Sequence, residues 1–526
     1  MRSRVRLRPS VRRPLDLLRL AAWLCLLLGA GAAAPAGAPG AAAAPGPPAA
    51  ATAGRAAPAG TAAPAAPAGT AAPARAAAPK LAPLPAALER RMSELVQAAE
   101  RYRGLKLERR VPWGRVSEPE LRREVATDFQ EDLPPDRLAA VELSLKSFGL
   151  IPESMNLATY YPQLLTSQIA GFYDVHRKVL AVVDRPGGLL GKDAAIRLGA
   201  DMARKMEDGL LVHELTHAIQ DQHFDLERFD DPDPLSDGGV ARLALVEGDA
   251  SLVMFDDLVE APLEELPEAS KLIADLLAEA GGEGNPPPAG TALPGEQDMA
   301  AAPPWFRDQL LFSYSRGAAF CLEVRRQGGQ KLLDYAFAVD PPRSSEQILH
   351  PEKWYGHRDD PVVIAWPDLA PELPGYTKAA EGQLGEEGIA VLLRMALPEA
   401  ERAAAAAAAA GWGGDRFAVY RKGPRRLLAW IADWDTEAAA ARFQAAASRL
   451  GAGWTVSRAG PRRVTVLRGD LGEAERAALL ARLAGARAEP PANRDIDLAR
   501  IGARPKPAAG AVAPAAPAPP APPPPM

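Results

Sequence analysis

Two histidines four residues apart inside an apolar run leave this chain few ways to fold. They are His213 and His217, in Leu210-Leu211-Val212-His213-Glu214-Leu215-Thr216-His217-Ala218-Ile219. The flanking apolar residues seat the segment in a core, where an unpaired pair of imidazoles is costly. On a helix, residues four apart stand one turn apart on one face, so both rings can offer nitrogens to a single ion. Zinc is the ion such a pair suits. Glu214 then lies beside the pair, placed to take a proton from water and later give it to a leaving amine. With only six histidines in 526 residues, chance seldom produces this pattern on an apolar helix.

Catalytic zinc usually takes three protein donors and keeps one position open, so two histidines are an incomplete set. Glu247, in Leu245-Val246-Glu247-Gly248-Asp249-Ala250, is the first candidate for the third. Between His217 and Glu247 there is chain enough for a helix exit, a loop and a second helix. Ala241, Leu243, Ala244 and Leu245 bury that second helix, and a carboxylate among them needs a partner. Asp249 and Asp256 are candidate acceptors for a ligand histidine. His223 is the competing third ligand. It stands ten positions after His213, where metzincin-like peptidases place a histidine after a glycine turn, but Gln220 occupies the glycine's place.

His213 to Gly248 resembles the gluzincin branch of the zincin superfamily, whose third ligand is a glutamate on a following helix. More narrowly, His213 to Asp225 resembles a group of largely uncharacterised bacterial proteins of that type. Gly171-Phe172-Tyr173-Asp174, Val246-Glu247-Gly248-Asp249-Ala250, Tyr314 with Gly317, and Ser344 to Lys353 look shared as well. The likeness spans roughly residues 165 to 450. It implies a zincin body with one zinc ion and a protein or peptide substrate of unknown identity. It also implies an electrophile for the developing oxyanion, for which Tyr314, Tyr355 and His357 are candidates. Tyr173 is a weaker one, because Gly171, Phe172 and Tyr173 better suit a strand that pairs with an extended substrate. His176 reads as a solvated turn residue, and His350 as a local cap.

The fold expected is α+β: a mostly helical zincin-like body with a small sheet, a C-terminal α+β module, and disordered Ala/Pro-rich ends. Leu88, Met92, Leu95 and Ala99 mark an amphipathic helix, and Ser117 caps further helix up to Leu150. Residues 168 to 184 read as strand, turn, strand. Helices follow from about Asp193 to His217 or beyond, from Gly239 to Val259, and from Leu266 to Ala280. A loop, Gly281 to Pro304, precedes helices over 305 to 327 and 379 to 410, the latter closing on the alanine run Ala403 to Ala410. In domain terms, residues 81 to 190 form the N-terminal part of the body and 191 to 410 its zinc-binding part. Residues 411 to 485 form the small module, where Trp412, Trp430 and Trp434 suit either a core or a binding surface.

Residues 1 to 34 read as an export signal, with seven arginines before the apolar run Leu20 to Leu28 and small residues from Gly29 to Ala34. The bulky Trp23 and Leu24 before Cys25 argue against a lipoprotein signal, and a retained N-terminal anchor is the alternative to cleavage. Residues 35 to 80 and 486 to 526, rich in Ala and Pro, read as a disordered linker and tail, the tail a candidate ligand for an envelope partner. Only Cys25 and Cys321 occur, which excludes four-cysteine zinc sites within the chain. With 61 basic and 66 acidic residues, nothing in the balance points to nucleic acid. No later apolar run suggests an integral membrane body. The expectation is an exported peptide hydrolase, periplasmic or secreted. The alternative from another class is a non-catalytic envelope or peptide-binding protein with a closed, structural zinc site.

Overall fold

A computed structural model of the chain describes residues 80–266, 268 and 295–502, apart from 192, 193, 195, 197, 232 and 492. The export signal, most of the linker, the end of the tail and nearly all of the helix expected over 266 to 280 lie outside the described residues.

The first part contains α1 (Ala86–Arg103), β1 (Trp113–Ser117), α2 (Glu118–Asp132), α3 (Pro135–Phe148), α4 (Leu157–Gln168), β2 (Gly171–Asp174) and β3 (Val179–Asp184). The long helices α5 (Ala200–Phe224), α6 (Asp237–Val259) and α7 (Pro304–Ala338) follow. The C-terminal part runs β4 (Thr377–Gly382), α8 (Gly385–Ala396), β5 (Trp412–Lys422), β6 (Arg425–Trp434), α9 (Glu437–Ala447), β7 (Trp454–Arg458), β8 (Arg463–Gly469) and α10 (Glu473–Ala484). The architecture is a mostly helical body with small sheets and a sheet-rich C-terminal part.

Local chemistry accounts for the helix ends. Ser117 and Glu120 form a reciprocal capping box at α2, Ser236 caps α6, and Gly104 closes α1 in the left-handed region at φ 76°. Helix α5 is buried without a break from Gly209 to Asp221, the pattern of a helix enclosed on all sides. Around it pack α1, through Met92, Leu95 and Ala99, and α6 and α7. Helices α6 and α7 cross at backbone contact. A methyl group on Gly248 would sit 2.1 Å from the Gly317 carbonyl carbon, and one on Gly317 would sit 2.0 Å from the Ala244 oxygen. Only glycine at both positions permits this approach.

The small sheet has the order β1-β3-β2, with β1 parallel and β2 antiparallel to β3. The hairpin was expected, but β1 was not, because Trp113-Gly114-Arg115-Val116-Ser117 is short and mixed. Its pairing along β3 and the burial of Val116 make it a strand. Since β2 pairs only with β3, its other edge faces α5.

Three expected elements differ. Helix α5 begins regularly at Ala200 rather than near Asp193, because Gly199 sits at φ 83°, and it runs on past His217 to Phe224. Helix α7 does not stop at 327. Gly329, at φ 65°, breaks it locally, and burial of Leu332, Leu333, Ala336 and Phe337 carries the helix on. Residues 379 to 410 are not one helix: pairing with β5 makes β4 a strand, Gly385 at φ 71° starts α8, and Pro398 separates α8 from the alanine helix at Ala404–Ala409.

The five-stranded antiparallel sheet has the order β4-β5-β6-β8-β7. Side chains of β6 alternate, with Leu428, Trp430, Ala432 and Trp434 in one core and Leu427, Ala429 and Ile431 in the other. The first core also contains Val141, Leu145 and Phe148 of α3 and Ile389, Leu392 and Leu393 of α8, so helices and sheet share it. Asp415 of β5 ties them further. Its carboxylate accepts from the Leu384 and Gly385 amides and from the indoles of Trp412 and Trp430, at 2.9 to 3.3 Å. Trp412, Trp430 and Trp434 are core residues, not a binding surface.

Gly317→Ala should therefore destabilise the protein by about 3 kcal/mol, since overpacking a backbone contact leaves no small adjustment to make. Chemical denaturation reads this directly, and an unchanged midpoint would contradict the close crossing.

Candidate metal centre

His213 and His217 project from adjacent turns of α5, and Glu247 projects from α6 toward them. The two Nε2 atoms are 2.9 Å apart, and Glu247 Oε2 lies 3.2 Å from the first and 3.4 Å from the second. All three side chains are buried, none more than 3% exposed. Zinc–donor bonds of about 2.0–2.1 Å in a tetrahedron put donors roughly 3.3 Å apart, close to what this triad shows. Apart from these two imidazoles, nothing donates to either Glu247 oxygen, although both are buried. A buried carboxylate with no partner but two imidazole nitrogens is well satisfied by a cation shared with them. The residues present fit one zinc ion, and they supply three donors, the number of a catalytic site.

The electrostatics express the same need for positive charge. Burial pushes the Glu247 carboxyl up, but the charge of His217 and contacts with both imidazoles outweigh it and hold the group at about 2. Burial disfavours protonated His217, yet Glu247 overrides this and raises it to about 9. For His213, burial and the neighbouring His217 win, and its proton affinity is lowered. In the metal-free triad the carboxylate thus draws one proton onto His217, and a divalent cation replaces that proton.

Glu214 stands on the same helix, buried, with Oε2 accepting from the Tyr173 backbone amide at 2.8 Å. The outward edge of β2 thereby aims its carboxylate. Burial chiefly, with Glu247 adding, pushes the Glu214 carboxyl up to about 8, against His217 and the Tyr173 amide. Such a group holds and releases a proton near neutrality. Tyr173 is bound at its other end too, its hydroxyl donating to Asp221 at 2.8 Å. That hydroxyl is engaged elsewhere and is not the electrophile, whereas Gly171 and Tyr173 belong to the edge that faces α5.

Of the other candidates, only Tyr314 is beside the triad. Its ring centroid lies 6.0 Å from that of His213, on α7 one turn before Gly317. Tyr355 donates to Glu323, and His357 is 95% exposed near Asp495, so neither adjoins the donors. His223 is not a ligand in this arrangement: its Nε2 meets the Lys106 carbonyl at 2.7 Å, because α5 continues straight past His217 with no turn to bring it back. His176 approaches Glu227, and His350 bonds Glu386 at 2.9 Å.

Asp256 does not support a ligand histidine either. It accepts from the Leu263 amide and from Arg325 at the end of α6. Asp249 reaches His217 only through Gln220, a residue that sequence reasoning weighed merely as a missing glycine. Its position one turn beyond His217 was the available signal. A second acidic group, Glu346, Asp359 and Asp435, surrounds the Lys353 ammonium at 2.5 to 2.8 Å, so a lysine supplies its positive charge.

Residues 373–488 match the family model of a domain of unknown function (DUF8575), which covers the five-stranded sheet and contains none of the triad. No curated protein and no solved structure matches the chain. The site itself defines the class. A buried His-Glu-x-x-His helix completed by a glutamate from the next helix is a gluzincin-like zinc-metallopeptidase site, suited to peptide-bond hydrolysis.

Proposed function

We propose that this chain is an exported zinc peptidase that cleaves proteins or peptides in the periplasm or outside the cell, with His213, His217 and Glu247 holding the metal. The observation that carries the reading is the placement of Glu214. It is the one carboxylate of the centre that does not face the imidazole nitrogens, and a strand edge fixes its direction.

Zinc held by the triad would acidify a water molecule and polarise the scissile carbonyl. The Gly171 end of the β2 edge, clear of the Tyr173 amide that Glu214 uses, is our candidate for pairing with an extended substrate. Glu214 takes the proton of the attacking water at Oε1, the oxygen that Tyr173 does not hold. As the carbon–oxygen bond forms and the carbon–nitrogen bond breaks, Glu214 passes that proton to the departing amine. Tyr314, whose ring lies beside that of His213, is our candidate to donate to the oxyanion.

Export rests on the arginine-rich front, the short apolar run and the small residues before Pro35. Among the described residues no helix is long and apolar enough to cross a membrane. The proline-rich tail remains a candidate contact for an envelope partner.

Glu214→Gln should keep one zinc per chain and lose at least about 100-fold in peptide turnover, since it removes the base and none of the donors. Full turnover by that variant would refute the mechanism. N-terminal sequencing of protein from fractionated cells should give a start near Ala33 or Pro35 outside the cytoplasm. An unprocessed chain in the soluble cytoplasm would refute export.

A further inference from the structure

One buried chain of hydrogen bonds leads into the metal centre from the far side of the body, and its direction is fixed at the outer end. Arg103, the last residue of α1, is fully buried and can only donate. Its Nε donates to Asp249 Oδ2 at 2.6 Å, and its Nη1 donates to Asp334 of α7 at 2.8 Å. Two rings, Phe224 and Phe337, flank the guanidinium with centroids 5.5 Å away. Asp249, so paired, can only accept. It takes a second bond from Gln220 Nε2 at 2.8 Å, and the Val246 carbonyl takes another from the same nitrogen at 3.1 Å.

Both partners of that amide nitrogen are acceptors, so the Gln220 amide has a single satisfactory orientation. Its NH2 faces Asp249 and Val246, and its Oε1 faces His217 Nδ1, 2.9 Å away. An oxygen there requires a hydrogen on Nδ1. Nε2, the atom that faces His213 and Glu247, is then the nitrogen that His217 offers to a metal. His213 has no such side-chain partner, and the Ala250 backbone approaches its ring instead.

We infer that Gln220 is a positioning residue for the metal, held by Asp249 and Arg103 so that His217 keeps its hydrogen on Nδ1 and turns Nε2 to the ion. An ion reaching the triad then finds one imidazole already turned as binding requires, with only the Nε2 proton to displace. The role deepens the zinc reading and rests on it. Gln220 touches neither substrate nor metal. It acts through His217, and residues on α1 and α6 act through Gln220.

Gln220→Leu keeps the volume of the side chain and removes both the acceptor and the amide donors. Chelator competition on the full chain should show zinc affinity lower by about 10- to 100-fold, the usual effect of losing such a support. Gln222→Leu, on the same helix but bonded to the Arg109 backbone at the surface, should bind zinc as the unaltered chain does. The unaltered, metal-free protein provides a second test that needs no variant. Its His217 nitrogen shifts should show a hydrogen on Nδ1, and the Nδ1 signal in Gln220→Leu should move toward that of a bare nitrogen. Equal zinc affinity in Gln220→Leu and the unaltered chain, or a metal-free His217 protonated at Nε2 with Nδ1 bare, would overturn the inference. Failure of the unaltered chain to bind zinc would instead overturn the zinc reading beneath it.

Discussion

The buried Glu247 carboxylate, facing two imidazole nitrogens across little more than 3 Å, is the interaction on which the rest of this structure depends. An anion at 1% exposure with only two imidazoles for partners is tolerated only where positive charge can be supplied. The protein supplies that charge in two ways, by a proton drawn onto His217 or by a divalent cation shared among the three groups. Other buried charges in the body are matched differently: Arg103 by Asp249 and Asp334, Arg325 by Asp256 and Glu264, and Lys353 by three carboxylates. Those groups have protein partners already. The triad is the place where the missing partner is an ion.

Bringing the carboxylate so close imposes a backbone constraint. Glu247 precedes Gly248, and Gly248 lies against Gly317 of α7 with no room for a methyl group on either. The same contact brings Tyr314, one turn earlier on α7, beside the His213 ring. Glycine at the crossing thus fixes two chemical groups that are far apart in sequence. On the other side of α5, Tyr173 ties the small sheet to the same helix twice, by its amide to Glu214 and by its hydroxyl to Asp221. Residues two turns apart on α5 grip one strand, and the carboxylate base inherits its direction from that grip.

Much of this could be read from the chain because the strongest signals are local. The apolar helix around His213 and His217, the Ser117 cap, the hairpin before α5 and the alternation in β6 each follow from spacing within a dozen residues. What could not be read depends on distant partners. β1 exists because β3 lies alongside it, β4 because β5 overrides the helical preference of Ala379 and Ala380, and the end of α7 because four apolar residues find a core beyond Gly329. The same division holds at the site. The histidines and the base announce themselves in five consecutive residues. Gln220 and Arg103 acquire meaning only through bonds to Asp249, which for Arg103 lies 146 residues away. Asp249 was legible as an acidic neighbour, but its action through an amide was not. His357 and Tyr355 suited the chemistry by residue type alone, and their surroundings separate them from the donors.

Metal content and coordination in matched variants test the central claim most directly. X-ray absorption on the purified, zinc-loaded full chain should show one zinc with two imidazole nitrogens, one carboxylate and one ligand from outside the protein. Glu247→Ala should lose the metal on dialysis against a mild chelator, and His223→Ala should retain it. Zinc kept by Glu247→Ala and lost by His223→Ala, or a fourth protein side chain closing the coordination sphere, would contradict the account.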